Sequence, residues 1–144
     1  MSPERCHPVV AALAIAVREG HLLLVRRSQP PDRGLWGFPG GKVEWGETVV
    51  AAAIRELTEE TGILAHPDRI LTVLDEISED AVESESGDGF HYVMIAVTCR
   101  PEPGEPVAAT DALEVAWFTP DQIAALGPGA SRNVAWVARQ ALAD

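Results

Sequence analysis

Glu56, Glu59 and Glu60 are spaced so that a helix would gather them on one side. Positions i, i+3 and i+4 are neighbours on a helical surface. Glu56 and Glu60 are then like charges at i,i+4, which costs roughly a few tenths of a kcal/mol. Glu59 and Glu60 also fall in the last turn, where the helix dipole disfavours an anion by roughly 0.3–1 kcal/mol. Arg55 can offset one of these charges, not three. Hard oxygen ligands that repel one another are relieved by a hard divalent cation, and Mg²⁺ or Mn²⁺ suits carboxylates best. One acidic pair is ordinarily a solvated face. An acidic triad in an unfavourable place asks for a cation.

The elements that must position these groups can be read from the same stretch, Gly40 to Ile63. Gly40 and Gly41 make a tight turn after Pro39, where a backbone without Cβ can come close to a metal or a phosphate. Thr48 can cap a helix whose body runs from Val49 to Thr61, and Gly62 sits where a left-handed C-terminal cap belongs. At about 100° per residue, Val50, Ala53, Ile54, Leu57 and Thr61 share the arc expected to bury. Ala52 is expected among the glutamates, leaving space.

Gly41, Glu47, Arg55, Glu56, Leu57, Glu59, Glu60, Gly62 and Ile63 match G-x5-E-x7-R-E-U-x-E-E-x-G-U, with U aliphatic, at every fixed position. In this the chain resembles the Nudix hydrolases. The resemblance implies an α/β fold, specifically an α/β/α sandwich with a mixed central sheet, and Mg²⁺-dependent cleavage of a phosphoanhydride, with Mn²⁺ as an alternative ion. It implies Glu56, Glu59 and Glu60 as metal ligands, with the Gly40 carbonyl as a further one. Glu47 and Arg55 are the pair that would orient the cluster through a charge-assisted hydrogen bond. Glu44 either reaches the metal or is a solvated loop residue. The general base stays open. It is either Glu56 or a carboxylate beyond the sheet, from Glu79, Glu83, Glu85, Asp88, Glu102, Glu105, Asp111 and Glu114.

Composition narrows the partners. The 144 residues carry a net charge of −11 with 47% hydrophobic content, which fits one globular domain, 1–144, with a sizeable core. No basic stripe exists to neutralise a phosphate polymer, so a nucleic-acid polymer is not the expected partner. A small phosphate ester remains compatible, because a bound metal and a few arginines reverse the sign locally. Cys6 and Cys99 read as free thiols of a reducing cytoplasm, and the four histidines are scattered. No segment approaches the roughly 18 apolar residues of a membrane-spanning helix. The apolar run after Arg5 reads as a β-strand rather than a signal peptide.

Residues 9–17 and 21–27 are two β-compatible runs around Glu19-Gly20 and are expected to pair antiparallel. Ser28 to Gly34 reads as a loop and Leu35 to Phe38 as a short strand. Strands are expected at Arg69 to Ile77, Phe90 to Arg100 and Val115 to Phe118. A short helix from Pro120 to Leu126 and a C-terminal helix from Ser131 to Leu142, capped by Ser131, complete the chain.

The segments RGLWGFPGGKVEWGE, HYVMIAVTCR and ALEVAWF resemble short bacterial Nudix proteins of the ADP-ribose pyrophosphatase-like group. That implies a small nucleoside diphosphate derivative as substrate, ADP-ribose or an ADP-sugar first. A MutT-like nucleoside triphosphate pyrophosphatase and a non-cleaving nucleotide sensor are the alternatives. Where larger ADP-ribose hydrolases carry a proline, this chain has Ser78 and Glu79. Arg26, Arg27, Arg33 and Glu105 are candidate substrate contacts. Arg26 and Arg27 alternate on a strand, so at most one of them faces a given cleft. Trp36, Phe90, Tyr92 and Trp117 are candidate stacking surfaces for a base. Nudix hydrolases of this size often dimerise, so a homodimer is admitted.

Overall fold

The structure, a computed structural model, describes residues 7–30, 32–79, 89–109 and 112–143. Strand β1 (Val9–Arg18) and strand β2 (His21–Arg27) meet at Glu19 and Gly20, both at positive φ (51° and 76°). Two positive φ values match the twist of a tight hairpin. The expected antiparallel pairing is made only at the hairpin end, as Val17 with Leu22 and Arg18 with His21. Beyond it the strands part, because each finds other partners.

Strand β1 pairs parallel with β6 (Phe90–Pro101) over Val9 to Ala16, and antiparallel with β4 (Gly40–Lys42). Strand β2 pairs antiparallel with β3 (Trp36–Gly37) and β7 (Ala112–Phe118). Strand β5 (Ala65–Ser78) closes the far side on β6. The sheet is therefore mixed. Strand β5 begins earlier than the sequence indicates and absorbs Pro67 beside one of two irregularities in its register. An outer strand tolerates this, since its free edge needs no donor there.

Alternation along β1 explains the layers. Ala12, Ala14 and Ala16 share one core with Ala52, Ala53 and Leu57 of helix α1 (Val49–Thr61). Ile15 points the other way, toward Ile123 of α2 (Pro120–Leu126) and Val134, Val137 and Ala138 of α3 (Val134–Ala141). Both faces of the sheet are covered by helices, which gives the α/β/α sandwich. Alanine facing alanine lets α1 lie close to the sheet.

Helix α1 starts and stops where its caps say. Thr48 Oγ1 accepts from Ala51 N at 3.1 Å, and Gly62 (φ 75°) donates to the Thr58 carbonyl. The helix is rotated from the expected arc. Ala52 is fully buried beneath the glutamates rather than lying among them, while Val50 and Ile54 are half-buried at the core's edge. The C-terminal helix is a clearer correction. It begins at Val134, not Ser131, and Asn133 precedes it in the left-handed region (φ 72°) without a side-chain cap. The Ser131 hydroxyl is buried and has no hydrogen-bond partner among the described residues. Gly40 and Gly41, read as a turn, form β4 instead. A Cβ on Gly40 would collide with the Ala12 carbonyl and Leu13, and one on Gly41 would lie 2.6 Å from a Glu56 oxygen. Here glycine allows a strand to lie against a carboxylate.

Candidate functional site

Helix α1 and strand β4 together form a cleft of about 460 Å³, lined by Glu56, Glu59, Glu60, Gly40 and Arg27. Glu60 Oε2 accepts the Gly40 N–H at 3.0 Å. Burial and the neighbouring Glu56 carboxylate raise the Glu60 carboxyl to about 9, with Gly40 N–H and Arg27 opposing. Two carboxyls so close cannot both ionise cheaply.

Arg55 is the counter-charge. Its Nε donates to Glu47 Oε2 at 2.6 Å and its Nη2 to Glu47 Oε1 at 3.0 Å, a two-pronged pair. Its Nη1 donates to Glu56 Oε1 at 2.8 Å and Glu59 Oε2 at 3.2 Å, and its Nη2 also reaches the Lys42 carbonyl at 3.2 Å. The Arg55 guanidinium holds Glu47 below the usual carboxylate range, helped by the Glu44 N–H. Glu47 in turn holds Arg55 more firmly protonated than usual. Glu44 comes no nearer to Arg55 than 3.8 Å and is exposed.

The donor set is entirely hard oxygen, which fits Mg²⁺ or Mn²⁺ and not a soft metal. Among the described residues no three carboxylate or imidazole groups close into a cage by themselves. Arg55 lies among Glu47, Glu56 and Glu59. The Glu56–Glu60 contact, with its shared burden of negative charge, is the observation that a cation would relieve.

The other predicted contacts fall in different places. Arg27 faces the cleft. Arg26 turns away and pairs with Glu114 on β7, Nη2 to Oε1 at 2.8 Å, as strand alternation requires. Arg33 and Glu105 are exposed and line neither the cleft nor the cavity beside it. Glu79 and Glu102 also lie outside the cleft. Glu83, Glu85, Asp88 and Asp111 fall outside the described residues.

A second cavity of about 240 Å³ opens on the α3 side of β4 and shares Arg27, Gln29 and Gly40 with the acidic cleft. Phe38, Leu74, Tyr92, Met94 and Val137 give it an apolar body, and Asp32, Glu76, Arg132 and Asn133 give it polar points. Asp32 (φ 63°) and Asn133 (φ 72°) are both left-handed without being glycine. Such conformations cost energy and gather at binding sites. Of the four candidate stacking rings only Tyr92 lines this cavity. Trp36 packs edge-on against Phe118 with centroids 4.9 Å apart, Trp117 lies under Arg18, and Phe90 leans on Tyr92. Sequence reading missed Asp32, Arg132 and Asn133. Asn133 was hidden because an asparagine near a helix start reads as ordinary capping.

A family profile described as the NUDIX domain matches residues 7–140. The chain belongs to the Nudix family. It is 34% identical over 112 residues to an ADP-ribose pyrophosphatase of Methanocaldococcus jannaschii, covering 78% of this chain and 62% of that protein. A MutT NUDIX hydrolase from Burkholderia pseudomallei superposes with a TM-score of 0.76 at 31% identity, over 93% of this chain and 98% of the other. A bifunctional NMN adenylyltransferase/ADP ribose pyrophosphatase from Francisella tularensis, solved with AMP and a manganese ion, superposes at 0.65 with 25% identity, over 95% of this chain and 40% of the other. Nudix hydrolases generally use divalent metal ions, and the all-oxygen cleft of this Nudix chain suits one. No helix among the described residues is long and apolar enough to cross a membrane.

Proposed function

We propose that the chain is a Mg²⁺-dependent pyrophosphohydrolase of small nucleoside diphosphate derivatives, with ADP-ribose or an ADP-sugar as the favoured substrate. The observation that carries this reading is the junction of the two cavities. An acidic cleft suited to a metal-bound diphosphate opens, through Gly40, Arg27 and Gln29, into a half-apolar cavity able to take a base or sugar. The relative from Methanocaldococcus jannaschii, named an ADP-ribose pyrophosphatase, supports the substrate class.

Glu56, Glu59 and Glu60, with the Gly40 carbonyl, are the residues that would hold the ion. Bound there, the ion supplies charge neutralisation on the phosphoryl oxygens and an acidified water. Glu47 and Arg55 fix the orientation of Glu56 and Glu59 through hydrogen bonds of 2.6–3.2 Å. Among the described residues Glu56 is the general-base candidate, since the described loop acids lie outside the cleft. Arg27, the cation nearest the junction, contacts a phosphate.

The test is incubation with Mg²⁺ and a panel of ADP-ribose, ADP-glucose, NADH, dGTP and 8-oxo-dGTP, with products identified by mass. AMP plus a sugar phosphate is the expected outcome. A nucleoside monophosphate plus pyrophosphate would move the chain to the MutT-like alternative, and no product from any compound would leave a nucleotide sensor.

A further inference from the structure

Between β6 and β7 the chain returns along the C-terminal end of α1 and hydrogen-bonds to it. The last carbonyls of a helix have no partner within it. Here the Glu60 carbonyl accepts from Ala109 N at 3.1 Å and the Thr61 carbonyl from Val107 N at 2.9 Å. Just beyond, the Leu64 carbonyl accepts from Glu102 N at 2.7 Å. Residues 102–109 thus cap the helix that carries the carboxylates, and Ala109 forms part of the cleft wall beside Glu60. Glu60 is gripped twice, by its carbonyl from Ala109 and by its carboxyl from the Gly40 N–H at 3.0 Å.

Among the described residues the segment is held further by an exposed His66–Glu102 pair at 3.4 Å and by Ala112 N donating to the Ala109 carbonyl at 3.0 Å. Pro103 and Pro106 have no N–H to give. Gly104 sits at φ 145°, a conformation that other residues rarely adopt. The clamp comes from the far end of β1. Arg18 Nη1 donates to the Gly104 carbonyl at 2.9 Å and Nη2 to the Glu102 carbonyl at 2.6 Å. The same guanidinium lies 4.6 Å over the Trp117 ring of β7. Stacking shields one face of the ion and aims its edge, so the two donors point at two carbonyls of one turn. A lysine has no planar fork that can lie flat on the ring while aiming two donors at both oxygens.

We propose that Arg18, seated on Trp117, is a positioning residue: it holds residues 102–109 so that Ala109 walls the cleft and the last turn of α1 keeps Glu60 in place. The inference rests on the cleft being the metal site. Neither Arg18 nor Trp117 lines the cleft or the cavity beside it, so the effect is transmitted through the 102–109 backbone.

The test compares the full chain with Arg18→Ala, Arg18→Lys and Gly104→Ala. Three quantities are read: amide hydrogen exchange at Val107 and Ala109, Mn²⁺ affinity from the free-ion EPR signal without substrate, and kcat against KM. In Arg18→Ala, exchange at both amides should quicken about tenfold and Mn²⁺ should bind about tenfold more weakly, the scale of losing hydrogen bonds from a charged donor. The kcat should fall with KM held within about twofold, and millimolar methylguanidinium should restore part of each loss. Arg18→Lys should lie near Arg18→Ala. Gly104→Ala, which keeps the arginine and moves its target carbonyl, should reproduce the pattern if Arg18→Ala fails to fold. Faster exchange with unchanged Mn²⁺ affinity, or unchanged exchange, overturns the clamp. Absence of Mn²⁺ binding by the unaltered protein overturns the metal site and the clamp together.

Discussion

The acidic cleft and the cavity beside it share one strand and differ in how they are made. The cleft draws Gly40, Glu56, Glu59 and Glu60 from one short stretch of chain, with Arg55 and Glu47 tying them together. The cavity draws Leu74 from β5, Tyr92 and Met94 from β6, Asp32 from a loop and Asn133 from the turn before α3. The cleft stores its tension as charge: Glu60 is pushed up to about 9 by burial and Glu56. The cavity stores it as backbone conformation, at Asp32 and Asn133, and as the Ser131 hydroxyl, which has no partner among the described residues. The acidic groups can thus be written locally, on one helix and the strand before it. Recognition of the rest of a substrate needs distant segments brought together.

Removing charge from the cleft should separate the two regions most sharply. Glu56→Gln and Glu60→Gln should each lower turnover on the order of 10²–10⁴-fold. Binding of a nucleoside monophosphate to the cavity, followed by calorimetry without metal, should change by less than about twofold. A parallel loss in both assays would show that the regions are not separable.

The support beneath the cleft comes next. Leu57 is fully buried where α1 meets the alanine face of β1. Leu57→Ala should cost about 2–5 kcal/mol in urea unfolding, because the facing alanines offer little to fill the void. A cost under about 1 kcal/mol would mean that the layer on this side is loosely packed.

On the cavity side, Asn133→Gly should relieve the left-handed backbone and raise stability by about 0.5–1 kcal/mol. The same change should raise KM about tenfold with kcat nearly constant, if the carboxamide contacts substrate. Stability gained without loss of affinity would make the strain purely architectural.

A further effect should appear as a pH slope. The folded-state carboxyl of Glu60 lies above its ordinary value of 4.5, at about 9. The native state therefore binds more protons than the unfolded state between those limits, and stability falls as pH rises through that window. The contribution is fully present below about pH 4.5 and gone above about pH 9. Saturating Mg²⁺ should flatten or reverse the slope, because the ion stabilises the ionised carboxylates. Melting temperature against pH, with EDTA and with Mg²⁺, measures this directly. A rise in stability with pH in EDTA would contradict the Glu56–Glu60 repulsion.

Strand alternation alone required that Arg26 and Arg27 face opposite ways, and only the pairing of β2 with β7 chose which one reached the cleft. Helix spacing alone gathered Glu56, Glu59 and Glu60, but the depth of Ala52 depended on how α1 settled against the sheet. The short helix expected from Pro120 starts there because Thr119 capped it, with Gln122 answering at 2.8 Å. Ser131 did not, because its backbone is fixed by Trp36 of β3. Caps, glycine stops and box spacing are interactions within a few residues, so the amino-acid order is enough to specify them. The parallel pairing of β1 with β6, the joining of the two cavities and the left-handed turn at Asn133 come from contacts across dozens of residues. Those are decided by which packed arrangement buries most apolar surface, and only the folded chain expresses that choice.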